Sequence, residues 1–293
     1  MTKILITGAG GLVGRALVDL CMQNGDEVVA CDRESLDISD ARRVDESIRA
    51  AGPEVVINCG AWTDVDGCEL DAERSDRINA DGPENLAKVS RAVGALLITI
   101  STDYVFDGTK DGFYTQRDNP NPLSVYARSK LAGERRAQFE LARTIVVRTG
   151  FIFGTGGKNF LSTVVDRTRA GDKLKAIGDA WGTPTYAIHL AARLRELADK
   201  DLPGIFHVVS GGDGASYASF AEEALKVAGL DRNMLEVVSF DSLKRPAPRP
   251  RNSRLRCLLS EALGLDPLPP WQEGLRQFLE HSSNKPIKKS QNC

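Results

Sequence analysis

Residues 3–14 read Lys-Ile-Leu-Ile-Thr-Gly-Ala-Gly-Gly-Leu-Val-Gly, and this stretch decides the fold. A short β-branched strand (Lys3–Thr7) runs straight into Gly8, Gly11 and Gly14, a G-x-x-G-x-x-G spacing, and then into a helical pattern over Leu12–Gln23. In a strand–turn–helix unit of this kind Gly8 permits the tight turn. Gly11 lets the backbone approach a pyrophosphate, and Gly14 lets the helix pack closely on the sheet. The helix N-terminus then offers free N–H groups and a favourable dipole to an anion. The same glycines also suit a bare turn with no ligand. The second strand weighs against that reading, because it ends at Asp32, where an acidic ribose contact belongs. Asp32 favours NADH through the ribose hydroxyls, whereas Arg33 can hold the 2′-phosphate of NADPH or stand as a solvated charge, so both cofactors stay open.

Outward from this unit the same alternation repeats. Short apolar runs at Glu27–Cys31, Glu54–Asn58, Leu96–Ser101 and Thr144–Arg148 are each preceded or followed by a helical segment (Asp40–Ala50, Glu69–Val93, Ser124–Ala142). Strands buried on both faces and separated by helices describe a doubly wound parallel sheet, an α/β Rossmann domain. This domain is expected over 1–150. After Gly150 the elements shorten and glycine and proline become frequent, so a smaller substrate-binding cap is expected over 151–281. A strand near 204–209 is expected to return to the main sheet. Helices are expected at Tyr217–Ala228 and Trp271–Glu280, and Lys244–Arg256 is expected to be an ordered, irregular loop. The polar, basic stretch 282–293 is expected to be a disordered tail.

Composition narrows the class. The chain has 293 residues, 42% of them hydrophobic and 27% charged, which is ordinary for a globular protein. Against 40 acidic residues stand 38 Lys and Arg, a near balance that excludes a general nucleic-acid binder. No apolar stretch is long enough to span a membrane. Met1-Thr2-Lys3 leads directly into a strand with no signal peptide, so a cytoplasmic location is expected. The six cysteines form no C-x-x-C pair and the three histidines are widely spread, so no metal site is expected.

The chemistry-bearing pattern is Tyr126-x-x-x-Lys130 at the start of a helix. An i,i+4 spacing puts both side chains on one face. An ammonium there is expected to lower the phenol's pKa and so fit Tyr126 for proton exchange with a carbonyl oxygen. Ser101-Thr102-Asp103 closes the fourth strand at the carboxyl edge of the sheet, where ligands bind.

Together these residues resemble the extended short-chain dehydrogenase/reductases. Longer strings narrow the match: LDISD (36–40), VVINCGAWTDVDGCE (55–69), INADGPENLA (78–87), STDYVFDG (101–108), NPLSVYARSKLAGE (121–134), RTGFIFGTGGKNF (148–160), GDAWGTPTYA (178–187), RPRNSRL (249–255) and LPPW (268–271) resemble the dTDP-4-dehydrorhamnose reductase family. The resemblance implies reduction of the 4-keto group of dTDP-4-dehydro-β-L-rhamnose, a step of nucleotide-sugar biosynthesis. It implies Tyr126 as proton donor, Lys130 on the nicotinamide ribose, and Thr102 on the sugar near the reacting carbon. It places the cofactor diphosphate on the backbone of Gly11, Leu12 and Val13, and adenine-side and ribose-side contacts at Asp37, Ile38, Ala61, Trp62 and Thr63. On the substrate side Asp103, Phe151, Asn159, Trp181, Arg249 and Asn252 are the candidates, with Arg251 beside them. The family also leaves room for a homodimer. Departures stand at Gly150-Phe151 (usually Ser-Trp), Ala180 (a common glutamine), His189 (a common acid) and Cys59-Gly60 (two alanines). Some members are associated with magnesium, but Arg15 is a poor ligand and no essential metal is expected. The alternatives are a related nucleotide-sugar reductase or epimerase, or a non-catalytic NADP-binding regulatory subunit.

Overall fold

The structure, a computed structural model, describes residues 1–283. Strand β1 (Lys3–Thr7) leads into helix α1 (Leu12–Gln23), β2 (Glu27–Cys31), α2 (Ala41–Ala51) and β3 (Val55–Asn58). The chain continues through α3 (Val65–Leu70), α4 (Ala72–Asp76), a π-helical turn at Arg77–Asp81, α5 (Gly82–Val93) and β4 (Leu96–Thr102). Helix α6 (Val125–Glu140) and β5 (Thr144–Thr149) complete this half. Then come β6 (Ile152–Phe153), α7 (Phe160–Arg169), β7 (Leu174–Ile177), β8 (Trp181–Gly182), β9 (Thr185–Tyr186), α8 (Ala187–Lys200) and β10 (Gly204–His207). The last elements are β11 (Ala215–Ser216), α9 (Tyr217–Val227), β12 (Leu235–Val238), α10 (Leu258–Ala262) and α11 (Trp271–Ser283).

The six-stranded parallel sheet runs β10-β5-β4-β3-β1-β2. Its residues alternate strictly between two cores. Ile4, Ile6, Ile57, Ile98 and Val147 face α1 and α8, whereas Leu5, Val56 and Leu97 face α2, α5 and α6. Burial on both faces is why these strands read as continuous apolar runs. The strand order reverses between β1 and β3, the switch point at whose carboxyl side ligands bind in sheets of this kind. A third cluster joins α7, α9 and α11 through Phe153, Val164, Phe220, Trp271 and Phe278.

The strand expected near 204–209 is β10, and it does return to the main sheet, parallel to β5. The single helix expected over Glu69–Val93 is instead broken. Asp71 leaves helical geometry and its side chain caps α4 through the Arg74 N–H. Pro83 then has no N–H to bond the Asn79 carbonyl, and Gly133 of α6 packs against that oxygen, where a Cβ would sit only 2.2 Å away. Ser282 and Ser283, expected in a disordered tail, belong to α11, and 284–293 lie outside the described residues.

Candidate active site

The glycine loop is built as its spacing requires. Gly8 has φ +66°, and a Cβ there would lie 2.6 Å from Gly60 N, so the loops after β1 and β3 touch at this point. A Cβ on Gly14 would lie 2.2 Å from Gly8 O, so α1 rests directly on its own loop. Gly11 caps α1 without a side-chain hydrogen bond and the first turn carries no acid. The N–H groups of Leu12, Val13 and Gly14 therefore remain available to an anion.

Two adjoining cavities follow from this geometry. One, of about 460 Å³, is lined by Gly8, Gly10, Gly11, Asp32, Arg33, Asp37, Ile38, Ala61 and Trp62. The other, of about 430 Å³, is lined by Gly11 to Gly14, Thr63, Thr102, Asp103, Tyr126, Lys130, Phe151 and Asn159. They share Gly11, Cys59, Gly60 and Ala61. Gly10 and Gly11 both line the first of them. An uncapped helix end, a carboxylate after β2 and a glycine floor together fit a nicotinamide dinucleotide. Asp32 Oδ1 accepts from the N–H groups of Ser35 and Glu34 at 2.9 and 3.1 Å, which holds its carboxyl below the ordinary range. Asn79, which the sequence reading did not single out, clamps the Trp62 backbone from both sides. Its Oδ1 accepts from Trp62 N at 2.9 Å and its Nδ2 donates to Trp62 O at 3.0 Å.

At the deep end Ser124 caps α6 by accepting from Ala127 N, which fixes the first turn and with it Tyr126. Lys130 Nζ, one turn on, donates to Ile100 O at 2.7 Å. Burial pulls Lys130 down to about 8, partly opposed by the Glu134 carboxylate on the next turn. Glu134 is itself locked to Arg148, Nη2 to Oε2 at 2.7 Å, with both side chains almost fully buried. The expectation of a lowered Tyr126 pKa is reversed: burial pushes the phenol well above its ordinary value, Thr102 pulls it back and Asp103 pushes it further up. The ammonium cannot prevail here because it points to a backbone carbonyl while the phenolate would be desolvated.

The substrate-side candidates divide. Phe151 holds a left-handed backbone at φ +47°, packs against Tyr217 with ring centroids 4.5 Å apart and the planes tilted by 39°, and lines the cavity. Such strain persists where the surroundings impose it, characteristically at functional sites. Asn159 lines it too, with its amide half engaged by the scaffold: Oδ1 caps α7 through Ser162 N and Nδ2 donates one hydrogen to Ile152 O, which leaves its second N–H for a ligand. Arg249 is tied to Asp66 of α3, with N–O distances of 2.8 and 3.0 Å, and Arg251 to Asp179 and Asp241. Asn252 is a scaffold residue instead of a free amide: it donates to Lys110 O and Gly112 O, both at 2.7 Å, and accepts from Arg254. Trp181 lies beside Arg254, half-exposed. Tyr104 and Tyr217, not foreseen from the sequence, complete the cavity wall. Among the described residues no cluster of metal-ligating side chains occurs, and no helix is long and apolar enough to cross a membrane.

A family profile described as "RmlD substrate binding domain" matches residues 1–284. The chain belongs to that family. Within it, a dTDP-4-dehydrorhamnose reductase from Streptomyces griseus is 37% identical, over 93% of this chain and 91% of its own. A solved dTDP-4-dehydrorhamnose reductase from Clostridium acetobutylicum superposes with a TM-score of 0.91 at 35% identity, covering 96% of this chain and 99% of that one. One from Bacillus anthracis, solved in complex with NADP, gives 0.92 at 31% identity, covering 96% and 100%. The RmlD-type architecture thus extends over the whole described crevice, from the glycine loop to Tyr217.

Proposed function

We propose that this chain is an NAD(P)H-dependent reductase of a nucleotide-linked 4-keto-6-deoxy sugar, converting dTDP-4-dehydro-β-L-rhamnose to dTDP-β-L-rhamnose in the cytoplasm. The observation that carries the reading is the convergence of Thr102, Tyr126 and Lys130 on one cavity that also contains the open end of α1. The first 150 residues with β10 hold the cofactor, and 151–281 supply most of the substrate side. Leu12, Val13 and Gly14 N–H groups take the diphosphate, Asp32 and Arg33 face the adenosine ribose, and the Trp62 loop, clamped by Asn79, closes over it.

The chemistry a bound reduced nicotinamide supplies is a hydride for the carbonyl carbon. Tyr126 releases its phenolic proton to the carbonyl oxygen as the C–O double bond becomes a single bond. Lys130, held by Ile100 O, keeps a positive charge beside the cofactor ribose and the phenol. Thr102, on the same cavity, meets the sugar near the reacting carbon. The ring walls of Phe151 and Tyr217 exclude water and seat the sugar.

The test is loss of reduced-nicotinamide absorbance with enzymatically generated dTDP-4-dehydro-L-rhamnose. Tyr126→Phe is expected to lose at least roughly 10²-fold in kcat while binding NADPH as the wild type does. Full activity in that variant, or no turnover in the wild type, would sink the assignment.

A further inference from the structure

The turn between β2 and α2 is fastened both from within and from the helix that follows it. Asp32 comes directly after β2 and stands against the glycine loop, where a Cβ on Gly10 would lie 3.6 Å from the Asp32 Cβ. Ala9 N donates to Cys31 O at 3.0 Å, which ties that loop to the end of the same strand. Asp32 Oδ1 is fully engaged inside the turn: it accepts from Glu34 N, from Ser35 N and, at 2.8 Å, from the Ser35 hydroxyl. Ser35 Oγ in return accepts from Asp32 N at 2.9 Å, and Leu36 N closes the turn on Asp32 O. From α2, Arg43 Nη2 donates to Glu34 O and Ser35 O at 3.2 and 2.8 Å. Arg43 is itself placed by Asp40, whose carboxylate caps α2 by accepting from Arg43 N.

One oxygen of this fixed carboxylate is left over: among the described residues Asp32 Oδ2 has no protein partner, and Asp32 lines the first cavity. An ionised carboxylate accepts hydrogen bonds and offers none, so it suits ribose hydroxyls and repels a phosphate. Glu34 and Asp37 line the same cavity. Asp37 is also held in place, its Oδ1 accepting from Ser39 N and the Ser39 hydroxyl at 3.0 and 2.8 Å. Arg33 is the one cation among the described residues lining that cavity, and it stands in the chain between two of these carboxylates. Arg43, the other arginine of this region, gives Nη2 to the carbonyls of the turn. We propose that the locked turn makes this chain selective for NADH over NADPH, with Ser35 and Arg43 as the positioning residues that hold the Asp32 carboxylate. A loose carboxylate would swing aside for a 2′-phosphate and let Arg33 meet it. One held by three donors, on a turn pinned from α2, moves only by breaking them. The inference rests on the reading of the crevice as a dinucleotide site and deepens it.

The experiment is fluorescence titration of the wild type with NADH and with NADPH at one fixed salt concentration, repeated for Asp32→Ala, Arg43→Met and Arg33→Ala. The wild type is expected to bind NADH at least about tenfold more tightly, the worth of one hydrogen bond to a charged acceptor. Asp32→Ala, which removes that acceptor, is expected to bring the two dissociation constants within about threefold of each other. Arg43→Met is expected to narrow the ratio by weakening NADH binding while NADPH binding holds or tightens. An arginine that merely supported the fold would weaken both cofactors alike and leave the ratio where it was. Arg33→Ala is expected to leave NADPH binding within about threefold of the wild type, as for a solvated charge. Equal affinities or a preference for NADPH in the wild type overturn the proposal, and that ratio needs no variant to fold. A ratio that survives in Asp32→Ala or in Arg43→Met, or a loss of NADPH binding of about tenfold or more in Arg33→Ala, overturns it too. Each of these leaves the dinucleotide reading intact, whereas a wild type that binds neither cofactor overturns both.

Discussion

Replacing Lys130 with methionine isolates the cost of burying its ammonium. The side chain is 4% exposed, and burial takes it from 10.5 to about 8. The folded protein therefore binds this proton more weakly than the unfolded chain does. Below both values the ammonium is charged in both states and its burial cost is felt in full, and above both the cost is gone. Stability tied to this group thus rises as pH climbs from about 8 to about 10.5. The difference amounts to about 3 kcal/mol at pH 7 and under about 1 kcal/mol at pH 10. Loss of the Lys130–Ile100 bond in Lys130→Met adds an offset that does not depend on pH, since a neutral amine donates as well. The gap between variant and wild type is the quantity to follow. By urea unfolding, Lys130→Met is expected to lose about 2 kcal/mol relative to wild type between about pH 7 and about pH 10, by the same arithmetic. A gap that stays constant across that range refutes a buried, proton-shedding lysine. The same variant is expected to be catalytically dead, so that a standing cost in stability is retained for chemistry.

Glu134→Leu leaves the Arg148 guanidinium buried without its carboxylate and is expected to cost about 3–5 kcal/mol in urea unfolding. The double variant Glu134→Leu/Arg148→Met is expected to recover most of that loss. Gly14→Ala forces a Cβ to within 2.2 Å of Gly8 O. It is expected to weaken NADPH binding at least about tenfold by fluorescence titration, with a stability loss of about 1–3 kcal/mol.

Much of this site was legible in the sequence because it is local. A strand, four glycines and a helix start lie within twelve residues (3–14), and close backbone approach admits no residue but glycine at Gly8 and Gly14. The alternating burial of β1, β3 and β4 follows from the pleat, and the pairing of Tyr126 with Lys130 from one turn of helix. Even there the local reading gave the wrong sign for the phenol. Charge spacing along a helix says nothing of how dry the pocket is, and the burial of Tyr126 arises from elements as distant as α3 and β4.

What only the tertiary structure decided is which polar side chains are free. Arg249, Arg251 and Asn252 stand in a motif that reads as a set of ligands, yet Asp66, Asp179 and the Lys110–Gly112 carbonyls engage them. Ser253, unremarkable in the same motif, reaches the end of β4 through Asp103. Asn79 is hidden in what reads as a continuous helix, whereas it lies on a π-helical turn and its side chain binds the Trp62 loop. A hydrogen bond or ion pair across 150 residues has no period and no spacing to announce it. It exists because the packed sheet and helices bring two groups together and burial penalises whichever is left unpaired.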